Sequence, residues 1–576
     1  MTHRERTFEA IRKYCPEISA VIEHWYGNEP PILFCGKEYI TSESGSQQGC
    51  PFGGIMFAIT IYEMLIKIKN QCPDLKLNVW FYDDSNLCGK LGDVLKAYEI
   101  IKAMGPELGF YPTDRKSILW WPKMDLEALS IFPQEMTRVT DGGTDVMKSP
   151  IGSPEYCEMF VMKKVHKIKE TIDMIVNHLK EEPLMQLQLL QYCVGAPQIG
   201  YYLQTTPATL IQSSIATFDV HMHAALEAIL NTSLKPNQRT ELSLPRSKGG
   251  LQLPRAADIA DSAYIGCKAR TLSLCNQIRS RPTEFVPQAF SNELEIFNRI
   301  NQKDITPQLI LASLKPQCYL SQIVQDRNRK RIFEDACNTD KARLNSLASV
   351  YSAAWTAMVG TMNSCPSFSA AQLRLLLNFR LGKKIYSKEV PCNQCTGKIS
   401  DVLGHHDAVC PGGNRTKSRH DGLRDELHKI AREAGFMPQK EVTNILDETG
   451  EKPADVLLPD YTNGRPCCID TVVSSPFTHV HNSAEQIGYV MDQAEIRKCQ
   501  NYQLRCNEKG YDFTPFAMDI YGAMGRSCHA LITRLAVSLA DKNDEPIGLA
   551  KGKIIQRLVA AVQKGVVLAL QSRIDI

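Results

Sequence analysis

The sequence lacks several features that would place it in a specialised class. Its opening eight residues contain no apolar signal core, and no uninterrupted apolar stretch reaches bilayer length. We therefore expect a soluble, intracellular protein without a membrane partner. Internal repeats and long low-complexity linkers are also missing. Neither charge sign is in excess, because 66 lysines and arginines stand against 63 aspartates and glutamates. This balance leaves a nucleic-acid partner open, since local clusters of charge decide that question.

What is present is typical of folded protein. The 576 residues are 43% hydrophobic and 22% charged, which is enough for several domains with cores of their own. In an intracellular chain the 20 cysteines are expected to be reduced thiols and metal ligands, not disulfides. Alternating helix and strand signals, a helical middle and a final α/β pattern predict a multidomain α+β fold.

Two apolar runs within residues 77–88 flank Asp83 and Asp84. This pattern predicts a hairpin whose turn holds two carboxylates, where Mg²⁺ can be shared with phosphates. Aspartate is also common in surface turns, which is the alternative interpretation. Upstream, the glycine-rich segment 45–57 opens a helix and can expose backbone amides to a nucleotide. Downstream, Lys116 follows a strand-like segment, and residues 149–154 predict a further turn.

In this order the four segments resemble the palm of reverse transcriptases from non-LTR retrotransposons. The match comprises a Gln-Gly-x-Pro loop, an aromatic-x-Asp-Asp hairpin, a Gly…Lys segment and a primer-grip turn. The resemblance implies RNA-directed DNA polymerisation with Mg²⁺ or Mn²⁺, an RNA template and deoxynucleoside triphosphates as the small-molecule substrates. It gives catalytic roles to Asp83, Asp84 and Lys116. Contacts with template and nucleotide fall on Gln48, Gly49 and Pro51.

One part of that family pattern is missing. The family carries another essential aspartate on an earlier palm strand, and no upstream segment here is an apolar strand ending in Asp. Without that ligand a two-metal site cannot be completed within the chain. We therefore expect that this chain alone does not polymerise DNA. The alternative is that the sequence starts at an internal Met of a longer element.

A mainly helical pattern extends from about residue 155 to residue 386. Lys163 and Lys167 are one helical turn apart and form a basic face, and residues 327–331 form a second basic cluster. Either cluster could contact a nucleic-acid backbone or be a solvated helix face. The resemblance implies that the first cluster belongs to a thumb helix beside the primer–template duplex.

A Cys-x-x-Cys pair, Cys392 and Cys395, precedes His405-His406 and Cys410. Thiolate and imidazole are the ligands that Zn²⁺ prefers, and four protein ligands make a structural site. The alternative is a set of reduced core cysteines beside two turn histidines. Resemblance to the Cys-Cys-His-Cys knuckles that precede retroelement nucleases favours His406 over His405 as the fourth ligand.

The last part of the chain places acidic residues on two strands. An amphipathic helix over 419–434 precedes a strand with Asp455 and a strand with Asp470. Two carboxylates on neighbouring strands can bind a divalent ion and a water aimed at a phosphate. The next helix has Glu495, Lys498 and Tyr502 on one face. Strand-end carboxylates and helix salt bridges are the alternative explanations.

Together these residues resemble the PD-(D/E)xK nucleases of non-LTR retrotransposons with a restriction-like endonuclease. The resemblance implies that Asp455 and Asp470 bind Mg²⁺ or Mn²⁺, that Lys498 is the catalytic lysine and that Tyr502 supports it. Glu441 is a further candidate ligand. The implied substrate is chromosomal DNA, so we expect nuclear residence, or otherwise the cytoplasm.

The expected organisation has five parts. They are a partial reverse transcriptase palm (1–125), the palm end and helical thumb (126–235), a mostly helical linker (236–386), a zinc knuckle (387–415) and a restriction-like endonuclease domain (416–576). The expected function is metal-dependent DNA nicking by a retroelement enzyme with an incomplete polymerase. A catalytically silent nucleic-acid-binding remnant is the alternative.

Overall fold

The computed structural model describes residues 2–27, 32–121, 129–279, 282, 288–349, 351–358, 367–412, 415–446, 452–462 and 464–574. They form a multidomain α+β protein that is mostly helical with small sheets, in agreement with the predicted fold class. The chain divides into two compact units, Met1–Cys157 and Glu158–Ile576. The predicted division into five parts is finer than these units and stays a prediction.

The first unit combines helices with short strand pairs. Its helices are α1 (Arg4–Tyr14), α2 (Pro16–Tyr26), α3 (Gly53–Thr60), α4 (Tyr62–Gln71) and α5 (Leu91–Met104). Its strands are β1 (Ile32–Cys35), β2 (Glu38–Thr41), β3 (Leu75–Phe81), β4 (Asp84–Gly89), β5 (Ile118–Trp120), β6 (Thr137–Val139), β7 (Gly143–Val146) and β8 (Ser149–Gly152). Strand β5 pairs parallel with β6, whereas β1–β2, β3–β4 and β7–β8 are antiparallel pairs.

One hydrophobic core in the first unit packs the predicted hairpin against the helices around it. Helices α4 and α5 bury Met64, Ile68 and Ile100, and Phe57, Trp80, Leu87 and Phe110 pack against them. The hairpin predicted over 77–88 is confirmed as β3 and β4. The helix predicted after the glycine-rich segment 45–57 is interrupted at Ile61, where α3 ends and α4 begins.

The predicted turn at 149–154 lies elsewhere in the structure. Residues 149–152 form strand β8, and the turn itself is Met147-Lys148, with φ of 51° and 65°. Two consecutive positive φ angles are typical of a type I′ hairpin turn. Such turns usually carry Asn-Gly, so the Met-Lys pair offered no turn signal.

The second unit is built mainly of helices. They are α6 (Pro154–His178, which starts in the first unit), α7 (Pro183–Leu189), α8 (Ala196–Thr205), α9 (Gln212–Leu230), α10 (Pro236–Ser243), α11 (Ala256–Ile278), α12 (Gln288–Asn301), α13 (Pro307–Ala312), α14 (Pro316–Glu334), α15 (Asn338–Leu347), α16 (Ala370–Arg380), α17 (Arg415–Glu433), α18 (Val480–Glu485), α19 (Tyr489–Glu508), α20 (Arg526–Asn543) and α21 (Ile547–Ile574). A single π-helical turn, Leu190–Val194, follows α7.

The second unit has a short antiparallel pair, β9 (Val390–Pro391) and β10 (Ile399–Ser400), and a four-stranded sheet near its end. The order of this sheet is β11 (Gln439–Val442), β12 (Ala454–Thr462), β13 (Arg465–Ser474) and β14 (Asp512–Asp519). Strands β11, β12 and β13 are antiparallel neighbours, whereas β14 is parallel to β13 and follows it through α18 and α19. Helix α17 packs on β12 and β13, and α19 packs on β13 and β14. The predicted helix over 419–434, the strands with Asp455 and Asp470 and the helix after them are confirmed as α17, β12, β13 and α19.

Helix α15 ties the helical segment to this sheet region. The side chain of Asn345 donates to the carbonyl oxygens of Ser483 and Ala484 at 3.0 and 2.9 Å. The hydroxyl of Ser346 binds the carboxylate of Asp519 at the end of β14. The segment predicted as a linker therefore packs inside the same compact unit as the sheet.

The last helix, α21, contains an apolar stretch of bilayer length. Within α21 the stretch Ile547–Arg573 is long and apolar enough to cross a membrane by length and composition. However, 72% of its most apolar window is buried, and α21 packs against α17 and α20. Such burial is what a core helix shows.

Candidate functional site

Strands β12 and β13 bring Asp455 and Asp470 together. Val456 pairs with Ile469 in the antiparallel register, so the two aspartates lie one residue further along, opposite each other. Side chains opposite each other in this way have Cβ atoms about 4.5–5.5 Å apart. Asp470 is only 4% exposed, and Asp455 is also largely covered. Two carboxylates therefore meet in a mostly dry site.

Helix α19 adds a cation to this pair. Nζ of Lys498 lies 2.7 Å from Oδ2 of Asp470, as an ion pair. One turn later Tyr502 packs into the apolar core against Phe513, with ring centroids 5.8 Å apart. Glu495 does not join the site, because its carboxylate accepts the N–H of Ser527 at 2.9 Å and caps α20. The structure thus brings together Asp455, Asp470 and Lys498, with Tyr502 as a packing neighbour.

The first strand acid, Asp455, is held by two residues that were given no role from the sequence. Oδ2 of Asp455 lies 3.0 Å from Nε2 of His420 on α17. The same oxygen accepts the backbone N–H of Thr471 at 2.8 Å and its hydroxyl at 2.7 Å. A signal for His420 was present: it lies three and seven residues before Leu423 and Leu427, on the buried face of the helix.

The surroundings shift the pKa values of the two carboxyls in opposite directions. Burial raises the pKa of Asp470 to about 6, and the neighbouring Asp455 adds to this, although Lys498 opposes it. Burial also acts to raise the pKa of Asp455, but the hydrogen bonds from His420 and Thr471 outweigh it and leave this pKa lowered. The partnership with Asp455 raises the pKa of His420. Asp455 is therefore the acid that the protein holds most firmly in its charged form.

Glu441, the further candidate ligand, lies on the edge strand β11 and is held by cations. Its carboxylate pairs with Arg424 of α17 and, at 3.2 Å, with Nζ of Lys452. The hydrogen bond from Lys452 and the charge of Arg424 lower the pKa of Glu441. Its backbone has φ of 47°, an uncommon value for a residue other than glycine. The side chain is thus charged and well anchored beside the Asp455 strand.

The predicted zinc ligands form a compact cluster. The ligand atoms of Cys392, Cys395, His406 and Cys410 all lie within 4.8 Å of one another. The sulfur of Cys410 is 3.6 Å from that of Cys392 and 3.8 Å from that of Cys395, which lies 3.4 Å from Nε2 of His406. Tetrahedral zinc with Zn–S of about 2.3 Å requires S···S of about 3.8 Å and S···N of about 3.6 Å. The cluster could therefore hold a zinc ion with little rearrangement.

The two neighbouring histidines have different partners. His406 presents Nε2 to the thiols, whereas the ring of His405 stacks on Phe477 with centroids 3.7 Å apart. The carboxylate of Asp401 accepts the backbone N–H of both histidines, at 3.2 Å from His405 and 2.8 Å from His406. This carboxylate fixes the turn that aims His406 at the cysteines. The geometry favours His406 as the fourth ligand.

The predicted polymerase residues lie on the surface of the first unit. Asp83 and Asp84 are exposed at the β3–β4 turn, and Lys116 is exposed in a 3-10 turn before β5. Gln48, Gly49 and Pro51 are exposed in the loop before α3. Helix α3, which follows this loop, meets the β3–β4 hairpin at Gly54. A Cβ atom added to this glycine would lie 3.0 Å from the hydroxyl oxygen of Tyr82. The structure thus brings two of the four predicted segments into contact.

The two basic clusters differ in their surroundings. Lys163 and Lys167 are exposed on α6, whose opposite face buries Val161 and Val165. In residues 327–331 several cations bind the protein instead. Arg329 donates to the carbonyl oxygen of Lys248 at 2.8 Å, and other arginines there also reach backbone or side-chain oxygens. The first cluster is therefore the better candidate for an external polyanion.

Comparison with known proteins adds no assignment. No protein-family model matches this chain, and no curated protein is significantly similar to it. The class of site is thus defined by geometry alone: two facing carboxylates with a lysine, and a Cys₃His cluster.

Proposed function

We propose that this chain is a metal-dependent DNA endonuclease of the PD-(D/E)xK type, derived from a non-LTR retrotransposon and acting on nuclear DNA. The observation that carries this proposal is the arrangement of three side chains. Asp455 and Asp470 face each other on adjacent strands, and Lys498 lies 2.7 Å from Asp470. These residue types can bind a divalent cation and stabilise the negative charge that develops when a phosphodiester is hydrolysed.

The donor set fits a hard divalent cation. Oδ2 of Asp470 is buried and receives no hydrogen bond of regular geometry, and its neighbours are a second carboxylate and one ammonium group. Mg²⁺ and Mn²⁺ prefer such oxygen ligands. When bound by Asp455 and Asp470, the cation would supply Lewis acidity and a more acidic water.

The protein's own groups have distinct tasks in this proposal. Asp455, whose pKa is lowered, would hold the cation, and its hydrogen bonds with Thr471 tie β12 to β13. Asp470 orients Lys498 through their ion pair. The ammonium of Lys498 then lies where it can donate to a phosphate oxygen and stabilise the charge that develops on it. Tyr502 supports the lysine through the packing of its ring, 6.0 Å from Nζ.

Plasmid nicking by the purified, zinc-loaded chain tests the proposal. We expect Mg²⁺- or Mn²⁺-dependent conversion of supercoiled plasmid to open circles, with activity lost in Asp455→Ala, Asp470→Ala and Lys498→Ala. Lys509→Ala is the matched control, because this exposed lysine follows the same helix about 16 Å further along. Full nicking by both Asp455→Ala and Lys498→Ala would contradict the site. Tight, salt-dependent nucleic-acid binding with no cleavage by the parent would favour the catalytically silent remnant instead.

We propose that the first unit resembles a reverse transcriptase palm and is not a complete polymerase. Asp83 and Asp84 lie on a sheet of two strands, and in the described residues no third strand brings another carboxylate to that sheet. We expect no template-dependent incorporation of labelled deoxynucleotides on an RNA template. Incorporation that is lost in Asp83→Ala would refute this part of the proposal.

A further inference from the structure

We propose that His420 and Thr471 are positioning residues that lock the carboxylate of Asp455 for cation binding. This inference rests on the proposed function and assigns a task to two side chains outside the predicted nuclease set. Neither residue touches the reacting atoms in this proposal. They act through one oxygen of Asp455.

The evidence starts with the number of donors on that oxygen. Oδ2 of Asp455 accepts hydrogen bonds from the backbone N–H of Thr471 at 2.8 Å, from its hydroxyl at 2.7 Å and from Nε2 of His420 at 3.0 Å. Within the described residues no N–H or hydroxyl donor reaches Oδ1, and the facing carboxylate of Asp470, the second proposed ligand, is the other close polar group. Three donors on one oxygen fix the rotation of the carboxylate plane and leave the other oxygen for a ligand.

The protonation of His420 follows from its partners. Nε2 also lies 3.2 Å from the carbonyl oxygen of Thr471, so it faces a carboxylate and a carbonyl, which both accept. Nε2 therefore carries a hydrogen and donates. Nδ1 of His420 lies 3.6 Å from a carboxylate oxygen of Asp421. This second contact favours the same orientation of the ring.

Both positioning residues stand on rigid elements. His420 belongs to α17, whose side chains Leu423 and Leu427 are fully buried. The preceding Arg419, also buried, donates to the carbonyl oxygen of Ala408, which lies between the proposed zinc ligands His406 and Cys410. Thr471 follows Asp470 directly on β13, so the residue that binds Asp455 is the chain neighbour of the other acid. Rigid support of this kind is what keeps a metal ligand within the narrow limits that a site requires.

The partners of a ligating carboxylate contribute roughly 10–100-fold to metal affinity. We therefore expect His420→Ala to weaken Mn²⁺ binding by about 10–100-fold and Thr471→Val by roughly 10-fold. His420→Gln should recover most of the affinity, because its amide can donate near the position of Nε2. Thr471→Ser should match the parent, since it keeps the hydroxyl.

The test is a Mn²⁺ titration of the full, zinc-loaded chain, with free Mn²⁺ followed by electron paramagnetic resonance. Asp455→Ala identifies the fraction of binding that belongs to this site. His428→Ala is the matched control, because this histidine lies on the same helix but bonds the carbonyl oxygen of Pro438 at 3.1 Å. It should bind Mn²⁺ like the parent. Circular dichroism and zinc content establish that each variant is folded.

The outcomes separate the two proposals. A parent with no Mn²⁺ site that depends on Asp455 would overturn the proposed function and the positioning role together. Parental binding that is retained in folded His420→Ala and Thr471→Val would overturn the positioning role alone. If His420→Ala does not fold, His420→Gln and the Thr471 pair decide: equal affinity of Thr471→Val and Thr471→Ser overturns the proposal, and a tenfold gap supports it.

Discussion

Replacement of Arg573, near the end of α21, by alanine should weaken zinc binding by the proposed zinc module, which is the segment 387–412 with the Cys₃His cluster. The Arg573 side chain is only 12% exposed, and its guanidinium lies 3.9 Å above the centre of the Tyr386 ring. It also faces Asp407, a buried carboxylate, at 3.5 Å. Its N–H groups donate to three backbone carbonyls around the zinc ligands, those of Lys388, Ser400 and Asp401.

The expected magnitude follows from these contacts. Hydrogen bonds that involve a charged group contribute about 1.5–3 kcal/mol each, and a partly desolvated cation–π contact contributes about 0.5–2 kcal/mol. These values are not additive, and removal of one partner from a buried charged network costs about 3–5 kcal/mol. Because zinc binding is coupled to folding of its module, Arg573→Ala should weaken zinc affinity by up to roughly 10²–10³-fold.

Competition with a chromogenic chelator measures this affinity in the full chain. Arg573→Lys should show an intermediate loss, because an ammonium keeps the charge but cannot reach three carbonyls in a fork. Lys564→Ala is the control on the same helix, since this lysine contacts Ser367 and Gln372 and not the zinc module. Zinc affinity of Arg573→Ala within threefold of the parent would refute the reasoning.

Three further changes have expected outcomes of their own. Gly412→Ala places a Cβ 2.3 Å from the backbone carbonyl oxygen of Gln394, which lies between the two cysteines of the Cys-x-x-Cys turn. Chelator competition should therefore show weaker zinc binding. Gly548→Ala, which has open space around it, should bind zinc like the parent. Arg343→Met leaves the buried Glu241 unpaired and should lower the free energy of unfolding by about 3–5 kcal/mol in urea titrations. Burial raises the pKa of Asp519 to about 6 from an ordinary 3.8, so the contribution of this carboxyl to stability should fall as pH rises from about 4 to 7. Asp519→Asn, which keeps the shape, should remove up to about 3 kcal/mol of that loss in unfolding measured across this range.

Local patterns were sufficient to predict the elements that carry the acids. The helix over 419–434 and the strand through Asp470 have apolar periodicities that tertiary contacts reinforce, and both are present as α17 and β13. The predicted zinc ligands are close because short spacings confine Cys392 with Cys395 to one turn, and His406 with Cys410 to the two ends of a 3-10 turn shortly after it. In these segments local preference and the final packing agree.

The contacts of single side chains were not predictable in the same way. His420 meets Asp455 across 35 residues, and this meeting depends on the register of β12 against β13 and on the rotation of α17. The basic run 327–331 shows the opposite problem. Its arginines read as a solvated or nucleic-acid-binding face, yet Arg329 binds the carbonyl oxygen of Lys248 within the protein. Charge in a sequence does not reveal whether its partner is internal.

The partners of the buried acids within the second unit support the proposed cation site at Asp455 and Asp470. Glu241 is buried with its charge matched by a bidentate arginine, Arg343. Asp519 is buried with backbone N–H groups as donors. Asp470 has a single ion pair, with Lys498, and also lies opposite a second carboxylate. Like charges opposite each other across strands destabilise a sheet, and a pair of apolar residues would pack there without that cost. An arrangement that is unfavourable for stability alone is expected where the two carboxylates bind a divalent cation, whose charge offsets the repulsion.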